Sequence, residues 1–183
     1  MCGHTLECAC GRKVRASSGI QQIMSENECS VLREPTLSLP IPAMNDELLA
    51  NLCSVQDKLL ALPQIDIQTE HIIHGGMYTR TIRIAPEVVL MGALVKIPTM
   101  LIVNGKTAVF TGESWIELEG YHVIPARAGR KQIFIAREET CITMIFRTDA
   151  QSVEQAEKEF TDEYEALMSR NSENDTVTIT EAA

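Results

Sequence analysis

Residues 88–111 read VVLMGALVKIPTMLIVNGKTAVFT, and this stretch decides the fold. Runs rich in Val, Ile and Thr are broken by turn signals rather than continued at helical spacing, which is the texture of short strands. Asn104-Gly105 lies between two apolar runs, and such a dipeptide tolerates the positive φ of a two-residue hairpin turn. Outward from it the same texture runs from Ile65 to Phe146. The expected strands are Tyr78–Ile84, Val88–Val95, Met100–Val103, Thr107–Thr111, Ser114–Leu118, Tyr121–Ile124, Gln132–Ala136 and Cys141–Phe146. Gly75-Gly76, Ala85-Pro86, Gly112-Glu113, Glu119-Gly120 and Ala128-Gly129 supply the other corners. Strands at this spacing without intervening helices predict a mainly β barrel or jelly roll over residues 66–147.

Two helices flank it. Asn45 can cap a helix over 45–61, with Asp46 and Glu47 in the first turn, where carboxylates suit the positive end of the dipole. Leu48, Leu49, Leu52, Val55, Leu59 and Leu60 follow at helical spacing until Pro63. Ser152 and Gln155 form a capping box for a second helix over 150–168, whose apolar face is Val153, Ala156, Phe160, Tyr164 and Leu167. Residues 44–170 thus read as one domain. Residues 171–183 read as a disordered acidic tail. Residues 1–43 show no periodicity, and Pro35, Pro40 and Pro42 close them as a flexible leader, with Met24 and Met44 as alternative starts.

The 183 residues are 45% apolar and 22% charged, enough for a sizeable core. The net charge of −9 is local: residues 148–183 carry two basic and ten acidic side chains, and the rest is nearly neutral. No basic stripe is present to meet a nucleic-acid duplex. No run reaches the length of a membrane span, and no export signal opens the chain. Reduced cysteines and a cytoplasmic location are the expectation. Cys2, His4, Cys8 and Cys10 offer zinc-type ligands at a spacing that matches no closed site, so no metal is expected there.

Gly92-Ala93-Leu94-Val95-Lys96-Ile97-Pro98-Thr99, the Asn104-Gly105 turn, and Pro125-Ala126-Arg127-Ala128-Gly129-Arg130-Lys131 together resemble the two motifs of a cupin. More narrowly, residues 70–148 resemble small cupin-like proteins of bacteriophages and prophages, which would place the chain in the host cytoplasm. Metal-dependent cupins hold their ion with histidines of both motifs and a nearby carboxylate. Aligned on Gly92 and Lys96, those positions fall at Val95, Thr99 and near Lys131, none of which is an imidazole. The resemblance therefore implies a barrel without a metal or other cofactor. Aligned in this way, Lys96, Arg130 and Lys131, with Arg127 and Thr99, would gather at the barrel mouth and suit a small anion, a nucleotide signal being one example. The alternative is that these are loop charges balancing Glu113, Glu119, Glu138 and Glu139.

Three functions follow as expectations. The first is a non-catalytic module that binds a small anionic molecule. The second is a metal-independent isomerase or epimerase using His122 with Tyr121. The third is a structural or interaction protein with a filled barrel. His71 and His74 would face opposite sides of an extended chain, which disfavours joint action. The apolar stripes of the helices predict a homodimer or higher homo-oligomer.

Overall fold

The computed structural model describes residues 5–8, 12–15, 40–167 and 175–180, the first two ranges by their backbone alone. Cys2, His4, Cys10 and Met24 lie outside the described residues. The strands are β1 (Thr5–Cys8), β2 (Arg12–Arg15), β3 (Thr69–His74), β4 (Met77–Ile84), β5 (Val88–Met91), β6 (Thr99–Phe110), β7 (Trp115–Ala126), β8 (Ile133–Ala136), β9 (Thr140–Arg147) and β10 (Asp175–Thr180). Helix α1 spans Asp46–Leu60 and α2 spans Val153–Phe160. The strands form one sheet in the order β10-β3-β4-β9-β6-β8-β5-β1-β2, with β7 paired to β6. The class is mainly β, as the sequence predicts: a curled half-barrel sheet with two helices.

Strand β6 curls the sheet, and here the sequence expectation is corrected. Asn104-Gly105 is no hairpin turn; it lies inside one continuous strand whose whole length pairs with β7, Gly105 opposite Gly120. On its other side β6 pairs first with β9 (Met100–Asn104) and then with β8 (Thr107–Phe110). The gap between those partners takes the β8–β9 turn, where the Lys106 carbonyl accepts from the Arg137 amide at 2.7 Å and the Thr140 hydroxyl at 3.2 Å. A Cβ on Gly105 would sit 2.5 Å from the Glu139 carbonyl oxygen, so glycine serves close approach here rather than reversal. The true β6–β7 reversal lies over 111–114. There Gly112 has φ +102° and the Thr111 amide donates to the Ser114 carbonyl at 3.0 Å. The four expected strands between Met100 and Ile124 are therefore two long ones.

Period-2 alternation puts Tyr78, Leu90, Leu101, Val103, Ile142 and Phe146 inside the curl. Strand β5 is buried on both faces, because α1 covers its outside. Val89, Met91 and Ile133 there meet Leu52, Leu59 and Met44 in a second cluster. Asn45 caps α1 as expected, its side chain accepting from the Leu48 amide at 2.8 Å. Across the molecule, β6 and β7 leave Met100, Tyr121 and Val123 exposed.

Two further differences concern the C-terminal part. The second helix stops at Phe160 instead of running to 168. Thr161 is extended, and a single 3-10 turn covers Tyr164–Ala166. The Phe160 carbonyl accepts from the Lys96 amide at 2.8 Å, and side chains of 162 and 163 are drawn to the barrel. These tertiary bonds outbid the helical period. The tail expected to be disordered carries β10, which adds in parallel to β3 with Asp175 beside Thr69. Strand β3 was absent from the expected strands.

Candidate functional site

Inside the curl lies a cavity of about 110 Å³. Its walls are mostly apolar: Ile82 from β4, Leu90 from β5, Leu101 from β6, Phe134 from β8, Ile142 and Met144 from β9, and Phe160 from α2. Leu167, drawn in after the 3-10 turn, adds to them. Four polar side chains interrupt these walls: Thr69, Arg80, Arg130 and Gln132.

Residues 130–134 place two of them. Alternation turns Arg130, Gln132 and Phe134 inward, and sends Lys131 and Ile133 the other way, Ile133 against the α1 cluster. Arg130 is 1% exposed. Its guanidinium donates to the Arg127 carbonyl at 2.6 Å, the Ile97 carbonyl at 3.3 Å, the Thr99 hydroxyl at 2.5 Å and the Gln132 amide oxygen at 3.4 Å. All four acceptors are neutral, and no described carboxylate pairs with it. Burial alone pushes its pKa down to about 10, so it remains a cation at neutral pH.

The other cavity cation, Arg80, is paired with Glu157 of α2 at 2.9 Å. Two polar atoms of the wall have no hydrogen-bond partner among the described residues: the Thr69 hydroxyl and the Gln132 amide nitrogen. Both side chains are buried. A buried donor or acceptor without a partner costs about 1–3 kcal/mol, so the wall carries two such atoms and a guanidinium without a carboxylate in an otherwise apolar lining.

The five sequence candidates divide. Arg130, Thr99 and the backbone of Arg127 come together as described. Lys96 and Lys131 do not join them. Lys96 forms an ion pair with Asp162, and Lys131, fully buried, donates to both carboxylate oxygens of Glu163 at 2.7 Å. These pairs tie the segment after α2 to the barrel. Glu163→Ala is expected to cost about 2 kcal/mol in urea unfolding, because it strands a buried ammonium. Lys131→Met/Glu163→Ala together should recover most of that loss. A cost under about 0.5 kcal/mol for Glu163→Ala would mean the pair behaves like an ordinary surface bridge.

His122 and Tyr121 stand on β7, outside the cavity wall. Tyr121 is 65% exposed, and the His122 Nε2 bonds to the Glu119 carbonyl at 2.9 Å. The histidine and tyrosine that the fold does unite are His71 and Tyr78, both fully buried, with Nδ1 and the hydroxyl 2.7 Å apart. His74 faces out and bonds Thr180. The His71 Nε2 lies 3.9 Å from an Asp175 carboxylate oxygen of β10. Burial, with Arg80 nearby, pushes His71 down to about 3, and burial raises the Tyr78 hydroxyl. Burial likewise raises Asp175 to about 6 against the pull of Arg80.

The pH consequences have opposite signs. His71 favours the folded state fully above pH 6.5, and this contribution is lost as pH falls toward 3. Asp175 binds its proton more tightly when folded, so its contribution is full below about pH 4 and is lost as pH rises through 6. Between these limits the two offset each other. Asp175→Asn should therefore lose more Tm than the parent on acidification from pH 6.5 to 4.5, as thermal unfolding at a series of pH values will read. An identical profile for the two would show that Asp175 titrates as it does in the unfolded chain.

A cupin-type metal does not fit this wall. It offers no imidazole, thiolate or carboxylate, and two guanidinium groups would repel a cation. Among the described residues no three His, Cys, Asp or Glu side chains gather to hold a metal ion, and no helix is long and apolar enough to cross a membrane. Sequence reading missed Thr69, Arg80 and Gln132. Gln132 carried a usable signal, standing two residues after Arg130 and two before Phe134 in an alternating stretch.

No family model and no curated protein matches the chain. Solved structures similar to it include a cupin-2 domain protein of Shewanella frigidimarina, at 15% identity over 40% of this chain and 72% of that one, TM-score 0.34. A cupin superfamily protein of Desulfitobacterium hafniense is 13% identical over 40% and 68%, TM-score 0.34. A cupin 2 conserved barrel domain protein of Salinispora arenicola is 10% identical over 46% and 77%, TM-score 0.38. No residue role passes to this chain from likenesses of that degree.

Proposed function

We propose that this protein is a non-catalytic binding module whose half-barrel takes a small anion, with Arg130 as the anchoring cation. The observation that carries the reading is the burial of Arg130 on a cavity wall with neutral acceptors only. Removing a charge from water costs several kcal/mol unless an opposite charge or full hydrogen bonding compensates it. Carbonyls and a hydroxyl compensate in part, and an anion in the cavity would supply the rest. Lys96 and Lys131 support the site indirectly, by holding the segment that carries Leu167 into the wall.

The size of the cavity narrows the sequence expectation. Pockets for drug-sized ligands run to roughly 300–1,000 Å³, and this one is about 110 Å³, so the binding of a whole nucleotide inside it is set aside. Thermal unfolding with formate, acetate or phosphate, at fixed ionic strength against chloride, tests the reading. At least one of these anions is expected to raise Tm saturably. No saturable rise with any of them, nor with a longer carboxylate, overturns it.

A further inference from the structure

We infer that the ligand is a short aliphatic monocarboxylate of about six non-hydrogen atoms or fewer, its carboxylate set against Arg130, Gln132 and Thr69 and its hydrocarbon body in the apolar half of the cavity. The inference rests on the anion-binding reading above and names the class of anion. Charge, donors, lining and size carry it separately.

Only one cation of this wall lacks a carboxylate among the described residues, since Arg80 is paired with Glu157. The neighbouring lysines are spent on Asp162 and Glu163. One positive charge in a low-dielectric site balances a monoanion, whereas a phosphate dianion would leave a negative charge buried.

The donors suit a carboxylate as well. The Gln132 amide oxygen faces the Arg130 Nε, and the reverse orientation would set donor against donor, so the Gln132 nitrogen is the atom left over. Gln132 with its two N–H groups, Thr69 with its hydroxyl and Arg130 with its guanidinium all belong to the wall of this one cavity. A carboxylate has about four acceptor sites to offer them.

Leu90, Leu101, Phe134, Ile142 and Met144 leave the remainder of the wall without polar atoms that need partners. Hydrocarbon is the matching occupant. An apolar cavity of about 150 Å³ accepts benzene, which limits the part of the occupant seated inside 110 Å³ to about six heavy atoms.

Titration calorimetry of the full chain, at fixed pH and ionic strength, reads this with formate, acetate, propionate, butyrate, octanoate, butyramide, inorganic phosphate and AMP. Affinity should rise about fourfold per methylene from acetate to butyrate and collapse at octanoate. Phosphate, AMP and neutral butyramide should bind at least tenfold more weakly than butyrate. The Gln132 side-chain amide resonance, assigned by its loss in Gln132→Leu, should shift saturably with butyrate, and Gln132→Leu should weaken butyrate about tenfold. Arg130-dependent binding of phosphate or AMP as tight as butyrate would overturn the carboxylate class and leave the anion site standing. Butyramide binding equal to butyrate would remove the role of charge, and with it both readings. Saturable binding of none of these anions would also overturn both.

Discussion

Arg130→Met is expected to abolish the anion-dependent rise in Tm and to weaken carboxylate binding at least about thirtyfold, while the barrel stays folded. Charge-assisted bonds to a desolvated anion are lost with the guanidinium, and truncating one partner of such a pair costs about 2–5 kcal/mol, roughly thirtyfold or more in Kd. The effect on stability is smaller because two contributions oppose. The Ile97 and Arg127 carbonyls, the Thr99 hydroxyl and the Gln132 amide oxygen lose their donor, at about 1–3 kcal/mol for a buried group left unpaired. Against this, a cation leaves an apolar wall, and replacing buried ions by apolar side chains of similar size is often neutral or stabilising. Arg130→Lys separates charge from geometry. It keeps a cation but not the planar fork that reaches four acceptors at once, so it should bind anions more weakly than Arg and better than Met. Anion binding unchanged in Arg130→Met, with circular dichroism showing a folded β protein, would end the proposed function. Should Arg130→Met not fold, Arg130→Lys and Gln132→Leu carry the same comparison.

The sequence made the strands legible where alternation and turn residues agree, and the site only where side-chain direction follows from alternation. Arg130 is a candidate in the sequence because it lies in a stretch resembling a cupin motif, and its inward direction follows from that of Phe134. Lys131 shows the limit. It is the next residue in sequence, chemically as good an anion ligand, yet it points away from the cavity into a carboxylate of the segment after α2. That segment leaves the helix at Phe160, a boundary that depends on the Lys96 amide sixty-odd residues earlier and so has no local signature. Strand β3 was missed for a similar reason. Thr69, Glu70 and His71 open it with polar residues on both faces, which hides the apolar alternation, and their place in the sheet is fixed by pairing with β4 on one side and β10 on the other. His71 and Tyr78 meet because a hairpin brings two residues seven apart to one face. The expected pair, His122 and Tyr121, are neighbours in an extended strand, where adjacent side chains face opposite sides.

Gly105→Ala is the sharpest test of the fold, because a hairpin turn and a bent continuous strand demand different costs there. At the end of a two-residue turn the new methyl group would point to solvent, and the loss would be backbone strain alone, about 1–2 kcal/mol. In this structure φ is +136°, and the added Cβ would also meet the Glu139 carbonyl oxygen at 2.5 Å, the Thr140 hydroxyl at 2.7 Å and the Thr140 Cα at 2.8 Å. Two of these are backbone atoms of the β8–β9 turn, which is itself held by the Lys106 carbonyl. Relief therefore requires the turn to leave the bend of β6 and give up those bonds. We expect a loss of about 3–5 kcal/mol, an outcome in the overpacking range and above. For a chain of this size that is about 6–20 °C in Tm. Gly120→Ala is the matched control. It faces Gly105 across the β6–β7 ladder with φ +83°, and nothing lies within 4 Å of its added Cβ, so it bears strain without collision. Gly105→Ala should therefore fall well below Gly120→Ala in Tm. Equal losses in the two variants would mean that the β8–β9 turn does not seat against Gly105, and that β6 is not bent around it.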